Sequence, residues 1–253
     1  MKKVILTLSF FAIALSAWAW GATGHRAIGF VADKYLSKKA QKELQRILAG
    51  QSTAMASTWM DEIRSDSTYD YAGDWHWVTI QDGQTYEQSE KNPHGDLIQT
   101  IERLITELKS KKLNAKDEAE HLKMLIHLVG DVHQPLHVGQ GTDAGGNKVK
   151  VTWFRGDSNL HTVWDSEMID DTHLSYTELG ESLEKPDAVK IAAWQKKSVR
   201  DWAYESMTYR PQVYAIGNGK LSYKYAYLNM PVVRQRLVQA GVRLAGILNE
   251  IYK

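Results

Sequence analysis

The chain has 253 residues, a formal charge of +1 and no cysteine. Disulfides and thiolate metal sites are therefore excluded, so any metal must be held by histidine, carboxylate or backbone groups. There is no bulk basic excess and no dense Lys/Arg tract to grip a long duplex. Nine Trp and twelve Tyr against five Pro point to an aromatic-rich globule rather than a repeat or linker protein.

From the N-terminus, Lys2 and Lys3 precede a nearly unbroken apolar run, Val4 to Leu15, and then Ala17-Trp18-Ala19. That three-part pattern reads as a secretory signal peptide over 1–19, cut after Ala19. The alternative is a buried N-terminal helix. The run is shorter than the roughly 20 residues of a membrane-spanning helix, so no membrane insertion is expected. Cleavage would remove two lysines, take the formal charge from +1 to −1 and leave 20–253 as one domain. The product is expected to be secreted or periplasmic. A competing cut after Gly21 would use Ala19 and Gly21 as the small residues.

Helical spacing dominates the rest of the chain. Ile28, Val31, Ala32 and Tyr35 form one stripe. Ile98, Ile101, Leu104, Ile105 and Leu108 form a second, and Leu122, Leu125, Ile126 and Val129 a third. Asp117 is expected to cap the third helix and Pro135 to stop it. Val232 to Tyr252 reads as a long amphipathic helix. One segment differs: "GGNKVKVTWF" alternates Val149, Val151 and Trp153 with Lys148, Lys150 and Thr152, which predicts a small β-hairpin around 147–156. The expected class is mainly α, with no internal linker.

The densest polar cluster is "HLVGDVHQPLH", residues 127–137. His127 and Asp131 are four apart and share a helix face, where they can hold one cation or simply pair at the surface. His137 lies past the Pro135 break and can turn toward the same place. His133 points off their face and reads as a helix-end residue. "NLHTVWD" repeats the spacing with His161 and Asp165. "DWHWVTI" places His76 between Trp75 and Trp77 in an expected extended stretch. Asp61, in the apolar-striped "STAMASTWMDEIR", is an acid on the inner side of a helix and needs a partner. With His25 these side chains are too many for one four-coordinate ion and suit two or three.

The order W-x₄-H, inner Asp, "WHW", "HLVGDVHQPLH", "GGNKVKV" and "NLHTVWD" resembles the single-strand-specific zinc nucleases of fungi and plants. That family is related in fold to zinc-dependent bacterial phospholipase C, so the resemblance implies a phospholipase C/P1 nuclease-like helical fold. It also implies three zinc ions. Asp61, His76, His127 and Asp131 would hold the first. His25, the other oxygen of Asp131, and the amino group and carbonyl of Trp20 would hold the second. His137, His161 and Asp165 would hold the third. Trp20 would become a ligand only once signal cleavage frees its amine. Asp61 and the bridging Asp131 are the implied catalytic carboxylates.

The same resemblance implies single-stranded DNA and RNA as substrates, 5′-phosphorylated products, 3′-nucleotidase activity and a monomer. Trp77 takes the place of the family's base-stacking aromatic, or packs in the core. The acid that follows it in fungal members is matched by Thr79, or by Asp82 after a shift. Asn147 and Asn159 are candidate substrate-side donors with equally ordinary turn roles. His94, His121 and His173 read as surface or structural. The competing readings are a phospholipase C-like phosphodiesterase and a non-catalytic zinc-binding protein.

Overall fold

In the computed structural model, which describes residues 20–253, many of the helices, though not α1 (Ala22–Asp33), begin where a short polar side chain meets the first free N–H groups. The leader expected over 1–19 lies outside the described residues. After α1, α2 (Lys38–Ile47) starts at Ser37, whose hydroxyl accepts from the Ala40 N–H at 3.1 Å. The stretch around Asp61 is not one helix. It divides into two single turns, α3 (Thr53–Ala56) and α4 (Trp59–Glu62), and runs on into a 3₁₀ stretch, Ser67–His76. His76 therefore ends a helical segment instead of lying in an extended one.

Asp96 caps α5 (Leu97–Ser110), accepting from Gln99 at 2.9 Å. The cap of α6 (Ala115–Asp131) is Asn114, not Asp117. Asn114 accepts from the Asp117 N–H at 2.9 Å, so Asp117 sits inside the first turn, where its charge favours the helix N-terminus. The α6 stripe Leu122, Leu125, Ile126 and Val129 has no exposed surface. Burying each such side chain contributes about 1.5–3 kcal/mol.

Beyond a 3₁₀ turn at Pro135–His137, His161 lies on α7 (Leu160–Thr162). The helix then widens into a π turn, Val163–Glu167, before α8 (Met168–Asp170). The remaining helices are α9 (Tyr176–Ser182), α10 (Ala188–Gln195), α11 (Val199–Thr208), α12 (Arg210–Val213) and α13 (Tyr223–Ile251). The last begins nine residues before the expected start and passes through Pro231. The carbonyl that Pro231 cannot bond belongs to Tyr227, which is exposed to water. Nor is α13 amphipathic along its length, because α1, α2, α5, α6 and α10 all pack on it. At Gly241 a Cβ would come within 2.6 Å of Val31, so α1 and α13 meet nearly backbone to backbone.

Two small sheets complete the chain. β1 (Val78–Thr79) runs parallel to β2 (Val138–Gly139), with Val78 opposite Val138. β3 (Lys150–Trp153) and β4 (Gly156–Asn159) form the expected hairpin, shifted so that it spans 150–159. β5 (Lys220–Leu221) pairs parallel to β3. No helix among the described residues is long and apolar enough to cross a membrane.

A buried charge network locks the far end of α6. Arg236 and Arg243 share the Glu205 carboxylate at 2.7–2.9 Å. Arg236 Nε also donates to the His133 carbonyl at 3.0 Å, and Arg243 Nη1 donates to His133 Nε2 at 2.9 Å. His133 in turn donates from Nδ1 to Val129. Its ring is thus neutral and structural, buried under two guanidinium groups that hold its pKa well down, after desolvation as the first cause.

Candidate metal centre

Four separate segments bring their polar side chains to one buried place. α6 contributes His127 and Asp131 from successive turns, with His127 Nε2 3.4 Å from Asp131 Oδ2. α1 contributes His25, whose Nε2 lies 3.2 Å from Asp131 Oδ1. Gly130 makes room for that ring, since a Cβ there would stand 2.9 Å from it. His76 Nδ1 lies 3.0 Å from Asp131 Oδ2, and Asp61 Oδ1 lies 3.8 Å from His127 Nε2. A second cluster stands beside the first, where Asp165 Oδ2 is 2.8 Å from His161 Nε2 and Asp165 Oδ1 is 3.6 Å from His137 Nε2.

These side chains fall into three groups: His25, His127 and Asp131; Asp61, His76 and His127; and His137, His161 and Asp165. His127 belongs to two of them, whereas the sequence pattern assigned it to one. Trp20 is fully buried immediately before α1, its indole donating to the Gly130 carbonyl at 3.0 Å. The next N–H, of Gly21, donates to the Asp165 carbonyl at 2.7 Å. The backbone of residue 20 is therefore held between the end of α6 and the second cluster.

Local breaks in regular structure make this geometry possible. Because the chain breaks between α3 and α4, the Asp61 N–H bonds to Thr58 and leaves the Ser57 carbonyl free for His127 Nδ1, at 2.7 Å. The β1–β2 pairing sets His76 beside His137, and the His76 carbonyl accepts from His137 Nδ1 at 2.6 Å. His161 Nδ1 donates to the Gly145 carbonyl at 2.6 Å. Three imidazoles thus spend their Nδ1–H on the backbone and turn Nε2 inward, the ring orientation that metal-binding histidines adopt.

The inward atoms also fit a cation better than one another. His25 Nε2, Asp131 Oδ1, His137 Nε2, His161 Nε2 and Asp165 Oδ2 are buried without an aligned hydrogen bond, although opposite partners lie close. Unpaired buried polar atoms are costly, and convergent nitrogen and carboxylate lone pairs are what zinc accepts.

Charge follows the same pattern. Burial pushes His25 and His76 below the ordinary imidazole value. Burial opposes protonation of His127 too, but Asp131 and Asp61 outweigh it and raise His127 to about 9. His137 is likewise raised to about 9 against its own burial, by Asp131 and Asp165. Despite desolvation, His127 and His137 hold the Asp131 carboxyl well below its usual range.

The clusters open onto a cavity of about 410 Å³ lined by Arg64, His76, Trp77, His137, Asn147, Lys148 and His161, among others. Trp77 is 40% exposed, so it forms a wall and is not a core residue. Thr79 lines the cavity, while Asp82 pairs with Arg210 at 2.8 Å and does not. Asn147 is at the rim and donates to Ala144. Asn159 is the N-cap of α7, accepting from Thr162 at 2.9 Å, and does not line the cavity. His121 pairs with Glu107, away from the clusters. Sequence reasoning missed Arg64, three residues after Asp61 and 3.5 Å from it, although i,i+3 spacing was a usable signal. It also missed Lys148 and Gln134.

Comparison with known proteins gives a consistent answer. Residues 20–253 match the family model described as S1/P1 Nuclease. The chain is 31% identical to Endonuclease 3 of Arabidopsis thaliana, over 93% of this chain and 90% of that one. It is 30% identical to Endonuclease 4 of the same plant, with the same coverage. Nuclease S1 of Aspergillus oryzae is similar at 25% identity, over 97% of this chain and 96% of its own.

Proposed function

The chain belongs to the S1/P1 nuclease family, and from that premise we propose that it is a zinc-dependent endonuclease cleaving single-stranded DNA and RNA to 5′-phosphorylated products. Nucleoside 3′-monophosphates are further substrates in this reading. The observation that carries it is the convergence of inward imidazole and carboxylate atoms at the floor of a cavity walled by Trp77 and Arg64.

Asp61, His76, His127 and Asp131 would hold one zinc. His25, Asp131 and the Trp20 backbone would hold a second, and His137, His161 and Asp165 a third. Bound zinc supplies positive charge against the phosphate and acidifies a coordinated water from 15.7 toward about 7. Asp61, whose side chain is 10% exposed and lies 3.5 Å from Arg64 of the cavity wall, orients the attacking water and takes its proton. Arg64 donates to a non-bridging phosphate oxygen. Trp77 stacks an unpaired base, which a rigid duplex does not present. Asp131 offers its two oxygens to different neighbours, His25 on one side and His76 with His127 on the other, which suits a bridge between two cations.

The leader pattern supports export, with activity arising in the secreted or periplasmic monomer that begins at Trp20. The test uses that purified chain, zinc-loaded, on matched single-stranded and duplex DNA, on RNA and on a phosphatidylcholine analogue, with and without chelator. Chelator-sensitive cleavage of the single strands is expected. Comparable rates on the duplex would overturn the strand preference, and hydrolysis of the lipid alone would overturn the nuclease reading.

A further inference from the structure

The segment between His133 and Pro135 holds one residue whose side chain has no surface role. Gln134 is fully buried, between the end of α6 and the Pro135–His137 turn. Its backbone ties two candidate ligands, because the Gln134 N–H donates to the Asp131 carbonyl at 2.9 Å and its carbonyl accepts from His137 at 3.1 Å. Its side chain reaches a third. Nε2 donates to Asp165 Oδ1, while Oε1 accepts from the Leu136 N–H at 2.5 Å. The amide has only one workable orientation. Pro135 brings no N–H, so the Leu136 N–H is the first free donor of the turn and fixes Oε1 toward itself. Nε2 is then left facing the carboxylate.

The consequence shows when the two aspartates are compared. Asp131 turns both oxygens toward imidazoles. Asp165 does the same, with Oδ2 2.8 Å from His161 Nε2 and Oδ1 3.6 Å from His137 Nε2, but its Oδ1 also takes the Gln134 amide, a contact for which Asp131 has no counterpart. We infer that Gln134 is a positioning residue for the His137–His161–Asp165 site, fixing the rotation of the Asp165 carboxylate so that Oδ2 faces His161 and Oδ1 faces His137. Without that donor nothing sets the rotation of the carboxylate, and its two oxygens are no longer held toward His161 and His137. That loss of preorganisation weakens a three-residue site in which His137 comes from one segment and His161 and Asp165 from another. Partners of this kind, one bond removed from the metal, typically affect affinity by about 10–100-fold.

This inference rests on the zinc-site reading, so the parent chain is measured first. A parent that binds no zinc defeats that reading and this inference with it, whereas a zinc-binding parent isolates the Gln134 question. The Gln134→Asn variant keeps a local cap, because a shorter amide still accepts from the N–H two residues on, but it no longer reaches Asp165. The Gln134→Glu variant keeps length and acceptor and replaces the donor with an acceptor. Apo-protein folding is followed by near-ultraviolet circular dichroism. Zinc affinity is measured by chelator competition, and cobalt(II) is used to read ligand geometry from its visible absorption. Both variants are expected to fold as the parent, to bind one ion about 10–100-fold more weakly, and to lose or shift one set of cobalt bands. If either folded variant keeps parental affinity for every ion and an unchanged cobalt spectrum, the inference is overturned. If Gln134→Asn does not fold, Gln134→Glu decides the question alone, and if that variant too fails to fold, Gln134 is a structural cap and the inference is overturned.

Discussion

His25 and His127 stack face to face, with ring centroids 3.9 Å apart and planes 16° from parallel. Both face Asp131, from opposite oxygens. Two protonated rings at about 4 Å would repel by about 4 kcal/mol at an effective dielectric of 20. The proton therefore settles on His127, raised to about 9, and His25 is driven down first by burial and then by the charge on His127. The metal-free site is an arrangement that holds one proton where a doubly charged cation fits better.

The first prediction concerns pH. At neutral pH the metal-free chain carries protons on His127, on His137 and on the Trp20 α-amine of the cleaved chain, and zinc must displace them, so uptake should release about three protons per chain. Because both folded histidine pKa values lie above the ordinary 6.5, their contribution to metal-free stability is complete below pH 6.5 and is lost as pH rises through about 9. Zinc affinity moves the other way. The gap in melting temperature between zinc-loaded and chelated protein should widen between pH 6.5 and 9. Calorimetry in buffers of different ionisation enthalpy counts the protons; a gap that is constant or narrows would contradict this account.

Asp131→Asn and His133→Ala should separate two roles that are two residues apart. Asp131→Asn removes charge facing both His25 and His76 and should deplete more than one ion, with activity falling at least on the order of 100-fold. His133→Ala strips Arg243 of a buried acceptor and should cost about 1–3 kcal/mol of stability. The folded fraction should nevertheless bind zinc normally. Elemental analysis alongside thermal melts checks both; zinc loss in the His133 variant with zinc kept in the Asp131 variant would reverse the assignment.

The contrast between those residues also marks what the sequence made legible. Helix-period stripes predicted α1, α5 and α6, because each buries one face of its own. The i,i+4 pairs His127–Asp131 and His161–Asp165 were visible for the same reason. What periodicity could not carry were relations between elements. The break that frees the Ser57 carbonyl for His127 follows from tertiary packing, as does the 3₁₀ path that ends at His76. The α13 start before Pro231 was hidden because proline normally ends a helix, and here the unbonded carbonyl is at an exposed residue. Gln134 looked like a spacer between ligands, since its length matters only once Asp165 is known to lie opposite.

Trp77 and Arg64 should affect different kinetic constants. If Trp77 stacks a base, Trp77→Ala loses about 1–3 kcal/mol of binding, or roughly 5- to 150-fold in KM, with kcat less affected. Trp77→Phe should recover much of that loss. Arg64→Ala should instead depress kcat, because a donor to the phosphate matters most as charge develops there. Steady-state kinetics on a short single-stranded oligonucleotide checks both. An unchanged KM in Trp77→Ala would return that side chain to a purely structural role.

The last prediction turns on Trp20. If its α-amino group binds zinc, the residue must be N-terminal and its nitrogen must lose its proton, starting from a pKa of about 7.7–8.0. A chain expressed in the cytoplasm with Met retained before Trp20 should therefore lack one ion and most activity. The exported chain cut after Ala19 should be active, although every side chain from 20 to 253 is the same. Trp20→Ala adds a second effect, because the indole is fully buried and donates to Gly130. Its removal should cost about 3–5 kcal/mol of stability and leave the Gly130 carbonyl unpaired. Correctly cut Trp20→Ala protein, once folded, keeps the backbone ligands and should lose less zinc than the Met-extended chain. N-terminal sequencing, zinc content and turnover on single-stranded DNA compare the three proteins. A Met-extended chain with full zinc and full turnover would show that the amine is not required and that the buried indole alone explains why tryptophan stands at position 20.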